Sequence, residues 1–184
     1  MTRRILWVVL SVAVLTLTRP TRFVSQNDQG EQSNIQQGFA IAPVPLDLKG
    51  KNRSLVGLGS YIVNGAGDCN GCHSVNFEPY LAGGNPFNGE PERIDPNKYL
   101  VGGSEFGPFV SRNLRPRRSS GLPAGLTFDQ FVEVIRKGTD FKNRPETPFP
   151  SPLLQVMPWP SFSKLSDRDV RAIYEYLSAL PPAP

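Results

Sequence analysis

Both cysteines and the sole histidine of the chain fall within five residues, Cys69-Asn70-Gly71-Cys72-His73. This C-x-x-C-H spacing is what covalent attachment of a c-type haem requires: the two thiols meet the two vinyl groups while the next imidazole turns under the iron. Two other chemistries compete for the same residues. Structural zinc takes four ligands, and only three stand together here, with no second Cys/His cluster to complete the set. A thioredoxin-type redox couple needs C-x-x-C in a strand–helix setting of βαβ type, a pattern the sequence does not show. A simple Cys69–Cys72 disulfide is the remaining alternative.

His73 supplies the fifth ligand of a haem iron, and the sixth decides between carrier and catalyst. With no other histidine or cysteine, the soft candidate is Met157, the only methionine besides Met1. It stands far enough beyond Cys72 for the chain to pass round a macrocycle and return on its other face. Pro158 and Pro160 make that returning segment stiff and non-helical. The competing reading of a lone methionine is a gap-filler in the core.

Few elements are marked to position these residues. The chain has 184 residues, 39% hydrophobic, with 19 prolines and 17 glycines, which predicts one domain with long irregular stretches between a few helices. Its net charge of +4 resides in Arg3, Arg4, Arg19 and Arg22; the remaining 16 basic residues balance the 16 acidic ones, so a nucleic-acid partner is not expected. Residues 5–18 are uncharged and mostly apolar behind a basic start, as in an export signal, and are shorter than the ~20 residues that span a bilayer. No small-x-small cleavage site follows, so signal peptide and membrane anchor both stay open for residues 1–22. Polar residues 25–38 are expected to be unstructured, making 23–50 a flexible or extended linker before a domain over 51–184. An apolar stripe of Leu55, Leu58, Ile62 and Tyr61 predicts a first helix. Tyr80–Gly84 and Tyr99–Gly103 echo each other as strand ends or turns. Thr127 and Gln130 form a capping box for a helix with Phe128, Phe131, Val132 and Ile135 on its stripe, ending at Gly138. The prolines from Pro145 to Pro160 argue against regular structure there. Ser166 caps the last helix, with Asp169 in its first turn and Leu165 stapled onto Val170. Its apolar face is Val170, Ile173, Tyr174 or Tyr176, Leu177 and Leu180.

Gly67-Asp68-Cys69-Asn70-Gly71-Cys72-His73, Arg112-Asn113-Leu114, Met157-Pro158-Trp159, Leu165-Ser166-Asp167, Tyr176-Leu177 and Leu180-Pro181-Pro182 together resemble class I cytochromes c. The likeness is to the electron-transfer cytochrome domains found beside bacterial periplasmic dehydrogenases, over about residues 52–182. It implies an all-α class I cytochrome c fold, three to five short helices around one haem c bound through Cys69 and Cys72, with axial ligands His73 and Met157. It implies single-electron transfer to or from a redox protein, a dehydrogenase or an oxidase. The location implied is the periplasm or the outer face of the cytoplasmic membrane. A haem protein with a labile Met157, acting in ligand sensing or catalysis, is the alternative. Arg112, Asn113 and Trp159 are the implied neighbours of the haem propionates. Where relatives tend to be acidic, Arg112, Arg115, Arg117 and Arg118 are basic; propionate pairing, a docking patch and a solvated loop are all open readings. The first and last helices are expected to cross near Gly57 and Tyr61 against Tyr176 and Leu177.

Overall fold

The computed structural model describes residues 26–75, 84–141 and 151–184. The apolar run at 5–18, residues 80–83 of the first echo, and Pro145, Pro148 and Pro150 lie outside the described residues. The described chain is helix-dominated: α1 (Gln26–Ile41), α2 (Arg53–Tyr61) continuing into a π-helical turn (Ile62–Ala66), α3 (Cys69–His73), a 3-10 turn (Pro86–Asn88), α4 (Phe128–Lys137), α5 (Trp159–Phe162) and α6 (Asp167–Ala179). Its one sheet among the described residues is a minimal antiparallel hairpin, β1 (Glu105–Phe106) and β2 (Phe109–Val110), with Glu105 opposite Val110 and Phe106 opposite Phe109.

The segment expected to be linker is instead helical from Gln26 and packed, which also takes the helices past the three to five expected. Its composition hid a narrow stripe at i, i+3 and i+4: Ile35 and Gly38 are buried and Phe39 is packed against the core. Small residues let the two backbones touch. A Cβ on Gly38 would lie 1.9 Å from the Gly57 carbonyl oxygen, and one on Gly57 would meet Ile35 and Phe39 at 2.7–2.8 Å. The Ser60 hydroxyl donates to the Gly38 carbonyl at 2.7 Å, and Arg168 of α6 pairs with Glu31 of α1. Main-chain contact thus compensates for the shortage of large apolar side chains.

α2 is therefore covered on two sides, by α1 and by α6. Asn52 caps it, its Oδ1 accepting from the Leu55 N–H at 3.1 Å. The α2–α6 crossing falls at Gly59 and not at Gly57 as expected: a Cβ on Gly59 would sit 1.9 Å from the Ala172 carbonyl oxygen and 2.7 Å from Tyr176 Cβ. The buried set accordingly runs through Val56, Leu58, Ile62 and Val63, wider than the single stripe predicted, with Leu55 and Tyr61 only partly buried.

The later helices follow their caps. In α4, Gln130 N–H donates to Thr127 Oγ1 at 3.3 Å and Thr127 N–H to Gln130 Oε1 at 3.0 Å, and Gly138 closes the helix in the left-handed region at φ 70°. Phe131 and Ile135 are its buried face. Ser166 and Asp169 make the corresponding box in α6, which buries Val170, Ile173, Tyr176 and Leu177, with Leu180 just beyond its end. Tyr174 also packs: its ring lies 5.3 and 5.5 Å from those of Phe128 and Phe131, and its hydroxyl donates to the Leu126 carbonyl at 3.0 Å. The proline-rich stretch does hold one helical turn, α5, because Pro160 occupies its first turn, where no N–H is needed.

Candidate functional site

α3 carries the C-x-x-C-H residues. It starts after Asp68, itself left-handed at φ 43°, and ends with the Ser74 N–H donating to the Asn70 carbonyl at 3.1 Å. Cys72 is exposed, Cys69 leans on the apolar core, and neither is in a disulfide. Desolvation, the Asp68 carboxylate and the neighbouring Cys72 push the Cys69 thiol up to about 12; desolvation and Asp68 also raise Cys72. Both thiols stay protonated at neutral pH. A redox C-x-x-C couple works through a depressed thiol, the opposite electrostatics. Among the described residues no three His, Cys, Asp or Glu side chains gather as a metal site.

His73 Nδ1 lies 2.7 Å from the Arg112 carbonyl oxygen. A carbonyl only accepts, so Nδ1 carries the proton and Nε2 keeps its lone pair. Desolvation holds the imidazole below its ordinary range, further favouring this neutral tautomer. The loop that brings Arg112 here is tied to α3 and folded on itself. Gly102 N–H donates to the His73 carbonyl at 2.6 Å, Leu100 N–H to Ser74 Oγ at 3.1 Å, Gly103 N–H to the Ser111 carbonyl at 2.9 Å, and Leu114 N–H to the Leu100 carbonyl at 2.9 Å. Gly102, at φ 75°, could not be another residue: a Cβ would lie 2.4 Å from the Arg112 carbonyl carbon.

Met157 stands on a segment pinned to the end of α4. Asp140 N–H donates to the Pro152 carbonyl and Leu154 N–H to the Gly138 carbonyl, both at 2.8 Å, pairing Thr139 with Leu153 antiparallel. The Trp159 indole lies flush on Gly138, where a Cβ would be 2.4 Å from the ring, and its Nε1–H donates to the Leu154 carbonyl at 3.2 Å. Met157 is partly buried against the same apolar cluster as Cys69. These hydrogen bonds, and not the prolines alone, fix the arm.

The four arginines separate into different roles. Arg112 Nη2 donates to both Asp140 carboxylate oxygens, at 2.5 and 2.6 Å. Arg115 is buried, donating to the Pro181 carbonyl at 2.7 Å and the Pro96 carbonyl at 2.9 Å. Arg118 donates to the Ala183 carbonyl at 3.1 Å, and the Arg117 side chain lies over Gly125. Asn113 Oδ1 accepts from the Arg115 N–H at 2.8 Å. Sequence reasoning did not find the Arg112 carbonyl or Asp140. A main-chain acceptor leaves no side-chain signature, and Asp140 follows a clear helix stop without a motif of its own. It also missed Tyr99, whose hydroxyl lies 2.5 Å from Asn64 Oδ1 and 2.7 Å from the Tyr176 hydroxyl in a buried network.

The residues fit a covalently held haem: unbridged thiols on one helix, an imidazole whose Nδ1 is engaged and whose Nε2 is free to ligate, and a thioether on the same apolar cluster. No family model matches the chain, and no solved structure matches it. Curated relatives do. The chain is 34% identical over 125 residues to the gluconate 2-dehydrogenase cytochrome c subunit of Pantoea cypripedii, covering 68% of this chain and 23% of that protein. It is 28% identical over 162 residues to the alcohol dehydrogenase (quinone) cytochrome c subunit of Gluconobacter oxydans, covering 87% and 28%. With the fructose dehydrogenase cytochrome subunit of Gluconobacter japonicus it shares 26% over 127 residues, covering 68% and 21%. The chain thus spans about a quarter of the length of these relatives.

Proposed function

We propose that this chain, a cytochrome c domain similar to those of dehydrogenase cytochrome c subunits, carries single electrons in a dehydrogenase-linked chain and turns over no substrate itself. The observation that carries the proposal is the 2.7 Å approach of His73 Nδ1 to the Arg112 carbonyl within a C-x-x-C-H turn. Haem c, when bound, supplies a one-electron iron couple. Cys69 and Cys72 would hold it through thioethers, and His73 Nε2 and the Met157 sulfur are the side-chain atoms that would serve its iron. The Arg112 carbonyl fixes the imidazole tautomer and strengthens it as a donor. A thioether in place of a second imidazole favours the reduced state and raises the potential. Asn113 and Trp159 neighbour the propionates in this reading, each keeping its protein hydrogen bond. The class I arrangement, a single haem, export to the periplasm or the outer membrane face, and residues 5–18 as signal or anchor complete it.

Production with haem-maturation machinery tests this. One haem's added mass, with a low-spin spectrum and a thioether-to-iron charge-transfer band when oxidised, is expected. A haem-free product with Cys69 bridged to Cys72 overturns the reading.

A further inference from the structure

We propose that the Arg112–Asp140 ion pair is a clasp that locks the Met157 arm to the loop orienting His73. The inference rests on the reading of the site given above, but its structural half stands on contacts within the chain. Arg112 acts in two directions. Its carbonyl holds His73 Nδ1 at 2.7 Å, while its Nη2 reaches both oxygens of Asp140 at 2.5 and 2.6 Å. Asp140 in turn donates its N–H to Pro152, beside the Thr139–Leu153 pairing that leads into Met157. One residue therefore joins the segment that carries His73 to the segment that leads into Met157, which are otherwise far apart in sequence.

The pair is placed to matter. The Arg112 and Asp140 side chains are 25% and 14% exposed, so the charges are largely withdrawn from solvent and less screened than a surface pair. Breaking one partner leaves the other charge poorly solvated, and the arm loses its tie to the loop. Release of the arm lets an external ligand compete with Met157. Substituting the Arg112 side chain leaves its carbonyl in place, so the His73 bond survives the test.

The experiment compares the parent chain with Arg112→Gln, Asp140→Asn and the double variant. In the oxidised, haem-loaded proteins each single variant is expected to weaken the charge-transfer band and raise imidazole affinity about tenfold, the double little further, because one shared contact is lost. Non-additivity is the diagnostic, since Asp140 has a further interaction. Additive effects, or a response to Arg112→Gln with none to Asp140→Asn, would assign Arg112 to a propionate and overturn the clasp. Amide hydrogen exchange at Asp140 and Leu154 in the same full-length proteins as produced supplies a second arm. Faster exchange in either single variant, not compounded in the double, supports the clasp, and unchanged exchange overturns it. Failure of the parent chain to take up haem would overturn the functional reading alone, and the exchange arm would still decide the clasp.

Discussion

The Nδ1 of His73 is held by a main-chain oxygen, that of Arg112, which fixes the tautomer and leaves Nε2 as the nitrogen with a lone pair. Substitution of the Arg112 side chain therefore does not probe that bond, whereas substitution of a proposed ligand side chain tests that ligand directly. Met157→Ala is expected to leave haem covalently attached through Cys69 and Cys72 while opening the sixth position. Carbon monoxide should bind the reduced variant readily and the parent poorly. An unaltered charge-transfer band in the oxidised variant would remove Met157 from the iron. At this scale the candidate side chains stood out because cysteine, histidine and methionine are scarce here and the C-x-x-C-H spacing is chemical. The Arg112 carbonyl and the Asp140 partner were not, since each depends on which loop lies beneath which helix.

Between elements, Gly38 and Gly59 place backbone against backbone, and each has a calculable consequence. Gly38→Ala and Gly59→Ala drive a methyl group to within 1.9 Å of a carbonyl oxygen, on Gly57 and Ala172 respectively. Neither neighbour is a flexible side-chain end, so the helices must part. Each is expected to destabilise by about 1–3 kcal/mol or more. Gly30→Ala, in the same helix as Gly38 but with nothing within 4 Å of its Cβ, should stabilise by up to about 1 kcal/mol. Denaturant unfolding of the three variants checks the signs; equal effects at Gly30 and Gly38 would mean that α1 is not packed on α2. Caps at Thr127, Gly138 and Ser166 were readable because they use local rules of three or four residues. The α1 helix was not, because Ile35 and Phe39 are few and the burial they join is contributed by Gly57, far along the chain. The crossing glycine was misplaced by two residues for the same reason: in a helix covered on both sides, Gly57 and Gly59 face different partners.

Across the whole molecule, a polar network joins what the helices bring together. Tyr99 of the irregular loop bonds Asn64 of the π-helical turn and Tyr176 of α6, while Asn64 Nδ2 reaches Ser60 Oγ at 3.0 Å, and Ser60 in turn bonds Gly38 of α1. No local pattern announces such a network, because its members lie on four separate segments. It does make the fold titratable. Burial pushes Tyr99 well above its ordinary value near 10, and Tyr176 upward for the same first cause. In the unfolded chain both phenols titrate near pH 10. Between that value and the raised folded ones, the native state binds more protons than the unfolded state, so stability falls as pH rises. Below about pH 10 this contribution is fully present. In the haem-loaded protein the cysteine thiols are consumed as thioethers in the proposed reading, leaving the tyrosines to carry the alkaline loss. Tyr99→Phe removes one titrating group and leaves Asn64 Oδ1 without its donor, at a cost of about 1–3 kcal/mol near pH 7. The deficit relative to the parent should narrow as pH climbs past 10, because the parent loses a proton-linked stabilisation that the variant lacks. Denaturant unfolding of both proteins from neutral to alkaline pH measures it, and parallel stability curves would separate the network from the alkaline transition.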